Sequence, residues 1–220
     1  MNLDNIATAR FNMIEQQIRP WNVLDAEVLE LLAEVKREDF VPLAHKGLAF
    51  ADLEIPLPGG QCMLSPKVEA RLLQELAIKK TDKVLEIGAG SGFMTALLAH
   101  RAQRVISLEI LPELADMARA NLTKAGITNA EVRCFDGSKG APGEGPFDVI
   151  LLSGSVGEIP QSLLTHLKVG GRLVAIVGNE PMMNTTLVTR TSDTDYRTTQ
   201  TWETVAPRLQ NFAEPSHFKF

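Results

Sequence analysis

The sequence predicts an α/β fold: a doubly wound, mostly parallel sheet with an N-terminal helical extension and antiparallel C-terminal strands. Three observations carry that expectation. From Lys80 onward, short β-branched and leucine-rich runs alternate with helix-patterned stretches, the order that builds a parallel sheet covered on both faces. Ahead of Lys80 lie apolar residues at helical spacing and then a stretch rich in Pro and Gly. After Asn179 the chain becomes rich in Thr, with Val, Tyr and Trp among them, residues that favour strands.

Taken in order, Ile6, Phe11, Ile14 and Ile18 sit at near-helical spacing before Pro20. Val28, Leu31, Leu32 and Val35 then form one stripe of a helix for which Asp25 is the natural cap. Residues 41–65 read as irregular. Pro66 suits the first turn of a helix reaching about Ile78, with Val68, Leu72, Leu73 and Leu76 turned inward. The alternation follows as "KVLEI", "SGFMTALLAHRA", "RVISLEI", "LPELADMARANLTKAG", "AEVRCFDG", "PFDVILLSG", "IPQSLLTHLKVG" and "GRLVAIVGN". Its members read as strand, helix, strand, helix, strand, strand, helix and strand. The glycines and serines of "LLSGSVG" read as a tight loop. The Thr-rich tail reads as two antiparallel strands turning at Ser192–Asp195.

The length of 220 residues suits one large domain with additions. Its parts are residues 1–79, a helical segment with a substrate-side loop, and residues 80–220, a ligand-binding core, together one compact domain. A net charge of −5 argues against a protein that grips long nucleic acid through its phosphates. Two cysteines, Cys62 and Cys134, and four histidines, His45, His100, His166 and His217, lack metal-ligand spacing, so no metal is expected. No signal peptide or membrane span is legible, and a cytoplasmic location is expected.

"VLEIGAGSG", residues 84–92, closes a strand and opens a helix. Gly88, Gly90 and Gly92, with Ala89 between them, let the backbone approach a ligand over the carboxyl ends of the strands. A dinucleotide fingerprint would need glycine at 93, where Phe93 stands. Glu86, two residues before Gly88, also opposes a diphosphate at the helix start. A carboxylate there suits a ligand with a positive centre and an amino group, as in S-adenosylmethionine. Glu109, followed by Ile110, ends the next strand at a distance suited to ribose hydroxyls. Asp136 with Gly137 ends the third, placed for an adenine amino group.

With these residues in place, the chain resembles the class I S-adenosylmethionine-dependent methyltransferases, whose core is Rossmann-like. It is most similar to the protein-L-isoaspartate O-methyltransferases. "MIEQQIRPWNVLDAEVLELLAEVKREDFVP" and "AFADLEIPLPGGQ" look like that family's N-terminal segment and approach to its active-site loop; the later motifs follow in family order over roughly residues 13–178. The resemblance implies S-adenosylmethionine as cofactor and, as acceptor, a carboxylate of damaged protein at isoaspartyl residues.

One loop departs from the family. There Gly-Gln is followed by Thr-Ile-Ser, whose Ser is taken as the catalytic hydroxyl. Here Gly60-Gln61 leads into Cys62-Met63-Leu64, with Leu64 in the Ser position and Ser65 one residue later. Ser65 or, as a weaker donor, Cys62 could replace the hydroxyl. Alternatively Leu64 lines a pocket for another protein or small-molecule acceptor, or the chain binds cofactor without turnover. A second departure is Ser153 and Ser155 in place of the family's alanines, two hydroxyls facing an unidentified partner. The sequence does not speak to oligomeric state.

Overall fold

The computed structural model describes residues 3–214; His217 lies outside them. Helix α1 (Leu3–Met13) runs on through a π-turn at Ile14–Ile18. Helix α2 (Ala26–Glu34) begins where expected, because the Asp25 carboxylate accepts the backbone N–H groups of Glu27 at 2.9 Å and Val28 at 3.3 Å. Its predicted stripe of Val28, Leu31, Leu32 and Val35 is buried.

Residues 41–65 are less irregular than their composition implies. A 3-10 turn spans Leu43–Leu48, and β1 (Ile55–Pro56) pairs antiparallel with β2 (Cys62–Met63). Helix α3 (Pro66–Leu76) follows and stops two residues short of Ile78, where Ala77 turns to φ 44°.

The core runs through β3 (Lys83–Ile87), α4 (Phe93–Arg101), β4 (Arg104–Glu109), α5 (Pro112–Lys124) and β5 (Ala130–Cys134). It continues through β6 (Phe147–Val156), α6 (Gln161–Leu164), β7 (Leu167–Asn179), β8 (Met182–Arg190) and β9 (Tyr196–Glu203). These strands form a seven-stranded sheet in the order β5-β4-β3-β6-β7-β8-β9. The strands from β5 to β7 are parallel, and β8 and β9 are antiparallel additions at one edge. The chain leaves β3 in one direction and returns to β6 on its other side, so the strand order reverses there, where open α/β sheets bind ligands.

Alternate side chains feed two cores. Val84, Val105 and Val149 pack with α2 to α5 on one face. Leu85, Ile106 and Ile150 pack with α6, Leu209 and Phe212 on the other. Two segments differ from expectation. "IPQSLLTHLKVG" is helical only over Gln161–Leu164, since β7 already begins at Leu167. Ser153, Gly154 and Ser155 are not a tight loop: they lie inside β6, at a register shift between Leu151 and Ser155. Their small size has a cause in packing. A Cβ on Gly154 would stand 2.9 Å from Leu209 and 3.1 Å from the Pro207 carbonyl. The segment after β9 lies against β6, with Ser155 N–H donating to Pro207 O at 2.8 Å and Leu209 N–H to Ser155 O at 2.9 Å.

Candidate active site

The turn after β3 is shaped by its glycines. Gly88 sits at φ +94°, and a Cβ there would meet Leu209 at 2.9 Å, so both the conformation and the space exclude a side chain. Gly92 has a different role. At φ +85° it caps α4 against Ala118, whose atoms would stand 3.2 Å from a Cβ; it brings helix α5 close.

Over this turn opens a cleft with about 530 Å³ of space between atoms, its open mouth included. The ends of successive strands line it: Gly88 and Gly90 after β3, Glu109 and Ile110 at β4, Asp136 and Gly137 after β5. Glu109 is nearly buried, and its oxygens accept the N–H groups of Gly90 at 2.9 Å and Leu111 at 3.0 Å. Asp136 accepts from Ser138 N–H at 3.0 Å and Asn211 Nδ2 at 3.1 Å. Burial pushes the Asp136 carboxyl up, but those hydrogen bonds and nearby Lys139 outweigh it and hold the group below the usual carboxylate range.

Glu86 requires a correction. Its side chain is fully buried and is not part of the lining of the cleft. Its carboxylate accepts from Thr95 Oγ1 at 2.5 Å, Ser107 Oγ at 2.7 Å and Ser153 Oγ at 2.8 Å. Burial pushes its pKa up against the opposing pull of those three hydroxyls. Glu86 therefore braces the turn from below. The same contacts settle the two serines: Ser153 serves Glu86, and Ser155 Oγ donates to Ala206 O at 2.7 Å.

A second, smaller cavity, with about 330 Å³ of space between atoms counted with its opening, adjoins the first and shares Cys62, Gly88, Gly90 and Ser153 with it. Ala89 lines this second cavity, as do Leu64, Phe93 and Met94. The altered loop is thus resolved residue by residue. Cys62 faces both cavities, Leu64 faces the second, and Ser65 faces neither, because it stands at the N-cap of α3. Burial, with Glu54 beside it, pushes the Cys62 thiol up to about 12, so it is an S–H donor at neutral pH and no thiolate.

The loop rests on a buried ion pair that sequence reasoning missed. Arg37, 1% exposed, donates from Nη2 to Leu64 O at 2.7 Å, from Nε to Ala49 O at 3.1 Å, and from Nη1 to Glu69 Oε2. Also missed were Leu209, Gln210 and Phe212, which close one side of the larger cleft. The only hint of them was an apolar residue among polar neighbours after the last strand. The glycine turn, the strand-end acids Glu109 and Asp136, and the absence of bulk at Gly137, where a Cβ would collide with Ile87 at 2.3 Å, fit an adenosyl ligand.

Comparisons with known proteins agree with this geometry. The family profile described as protein-L-isoaspartate(D-aspartate) O-methyltransferase matches residues 8–206. A protein-L-isoaspartate O-methyltransferase of Methanoculleus marisnigri is 43% identical over 178 residues, 81% of this chain and 81% of that protein. Protein-L-isoaspartate O-methyltransferase 2 of Marinobacter nauticus is 39% identical over 199 residues, 89% and 91% of the two chains. Among solved structures, a Plasmodium falciparum protein described as a putative protein-L-isoaspartate O-methyltransferase, in complex with S-adenosyl-L-homocysteine, superposes with a TM-score of 0.78. It is 18% identical, covers 93% of this chain and 97% of its own, and so speaks for the fold.

Proposed function

Since this chain belongs to the protein-L-isoaspartate(D-aspartate) O-methyltransferase family and is an S-adenosylmethionine-dependent methyltransferase, we propose that it methylates the free carboxylate of isoaspartyl residues in proteins. The observation that carries this reading is the junction of two cavities at Cys62, Gly88, Gly90 and Ser153. In this reading the larger takes the donor and the smaller the acceptor.

In this reading Glu109 takes the ribose hydroxyls, Asp136 and Gly137 meet the adenine, and Gly88, Ala89, Gly90 and Ile110 form the backbone wall. Residues 1–79 act as the acceptor-side cap on the 80–220 core. The bound donor supplies a methyl group on a positively charged sulfur, whose C–S electron pair stays on sulfur as the acceptor oxygen forms its bond to carbon. A carboxylate acceptor is already an anion, so no residue here has to remove a proton from it. What the chain contributes is alignment and the exclusion of water. Leu64, Phe93 and Met94 provide the dry wall.

Methyl incorporation into an isoaspartyl peptide, measured beside calorimetric binding of S-adenosylhomocysteine, tests the reading. Incorporation at micromolar peptide is expected, and cofactor binding with none rejects the acceptor. Leu64 in the hydroxyl position favours one second reading, transfer to a different small-molecule or protein acceptor; incorporation into a metabolite panel but not the peptide would select it. Among the described residues no helix is long and apolar enough to cross a membrane.

A further inference from the structure

Glu69 stands in the first turn of α3, behind the loop from which the family hydroxyl is missing. It lines the second cavity with Cys62 and Leu64 and is, among the described residues, the single carboxyl to do so. It is 5% exposed. Its Oε2 is taken by Arg37 Nη1, and no donor among the described residues reaches Oε1. Arg37 cannot drift, since its other nitrogens hold Ala49 O and Leu64 O and its guanidinium lies 4.9 Å over the Phe93 ring. The pair therefore presents one fixed carboxyl oxygen to the acceptor cavity.

A carboxylate acceptor entering that cavity meets another carboxylate. Two such groups in contact cannot both stay ionised; they share one proton. We propose that Glu69 orients the acceptor, its protonated Oε1 donating a hydrogen bond to the isoaspartyl carboxylate in place of the absent loop hydroxyl. Acceptor binding then takes up one proton, which Glu69 gives back once the neutral ester has left. This rests on the isoaspartyl reading above.

The surroundings make that proton accessible. Burial pushes the Glu69 carboxyl up to about 7; Arg37 pulls it down and Glu86 from β3 pushes it up. From the loop it is faced by Cys62, which stays a thiol, with Glu54 beyond it. Among the described residues no histidine lines either cavity.

Steady-state kinetics with an isoaspartyl peptide from pH 6 to pH 9 read this directly. The wild-type KM is expected to rise roughly a hundredfold, in proportion to the falling protonated fraction, with kcat little changed. Glu69→Gln keeps a carbonyl for Arg37 and an N–H donor at every pH, so its KM profile should be flat. Calorimetry adds a count without turnover. The S-adenosylhomocysteine-loaded protein, titrated with peptide at pH 8 in two buffers of different ionisation enthalpy, should take up close to one proton, and the variant none. Wild type that methylates the peptide with a flat KM profile and no proton uptake overturns the proposal and leaves the acceptor reading intact. So does a variant whose KM rises in parallel with wild type. Wild type that binds S-adenosylhomocysteine yet methylates no isoaspartyl peptide at any pH overturns the acceptor reading and the proposal with it. If Glu69→Gln fails to fold, the wild-type profile and proton count decide.

Discussion

The carboxylate of Glu109 accepts the backbone N–H of Gly90 at 2.9 Å, tying the end of β4 to the glycine turn after β3. Its other oxygen holds Leu111 N–H at 3.0 Å. A single side chain thus fixes the turn and still borders the cleft. Glu109→Gln keeps the outline of the side chain but leaves one of these two backbone N–H groups facing an amide NH2, and in the proposed role it loses the charge that would strengthen hydrogen bonds from ribose hydroxyls. Charge-assisted bonds of this kind contribute about 1.5–3 kcal/mol. Calorimetry should therefore find S-adenosylhomocysteine bound roughly tenfold to a hundredfold more weakly, with the unfolding temperature lowered by the one backbone N–H left without an acceptor.

Glu86 should behave in the opposite way. Three hydroxyls point at one fully buried carboxylate, and removing the acceptor leaves buried donors unpaired at about 1–3 kcal/mol. Glu86→Leu is expected to lose stability of that order or more in urea unfolding. Affinity for S-adenosylhomocysteine in the folded fraction should fall less than in Glu109→Gln. A loss of affinity larger than for Glu109→Gln, with stability unchanged, would show that Glu86 meets the ligand after all.

The contrast between these two acids marks what the sequence could and could not say. Strand and helix alternation, the glycine turn and the strand-end acids were legible because period and position are local properties of the chain. The depth of Glu86 was not, since it depends on Thr95, Ser107 and Ser153, which converge from α4, β4 and β6. Glu69 was illegible for a related reason. Between Val68 and Ala70 on a helix it reads as an ordinary exposed charge, and only the return of Arg37, 32 residues earlier, buries it. The "LLSGS" segment misled because glycine and serine usually mark loops; here they make room for Leu209 on a strand.

The segment carrying Leu209 gives a third expectation. Arg208 anchors it, donating to Gly178 O at 2.8 Å and to Asn179 Oδ1, and pairing with Glu214 at 2.9 Å. Beyond that anchor, Leu209, Gln210 and Phe212 close the cleft. Arg208→Ala should loosen this wall without opening the sheet. We expect S-adenosylhomocysteine affinity to drop about tenfold, the equivalent of roughly 1.4 kcal/mol, and limited proteolysis after β9 to quicken. Ligand should slow that cleavage in wild type more than in the variant. Equal cleavage rates with and without ligand in both proteins would separate the tail from the site.

The loop itself supplies the sharpest comparison, because two neighbouring positions make opposite claims. Leu64 faces the acceptor cavity and Ser65 does not. A hydroxyl one residue along in sequence is a different direction in space, since Ser65 already starts α3 while Leu64 still belongs to the loop held by Arg37. Leu64→Ser places a hydroxyl on the cavity wall, where one added hydrogen bond to the acceptor is worth on the order of 1–3 kcal/mol. If that bond forms mainly in the transition state, methylation of an isoaspartyl peptide should speed up roughly tenfold to a few hundredfold. Ser65→Ala should leave the rate near wild type. Should Ser65→Ala instead abolish transfer while Leu64→Ser changes nothing, the hydroxyl that matters is the one at the start of α3, and the loop must shift by a residue when the acceptor binds.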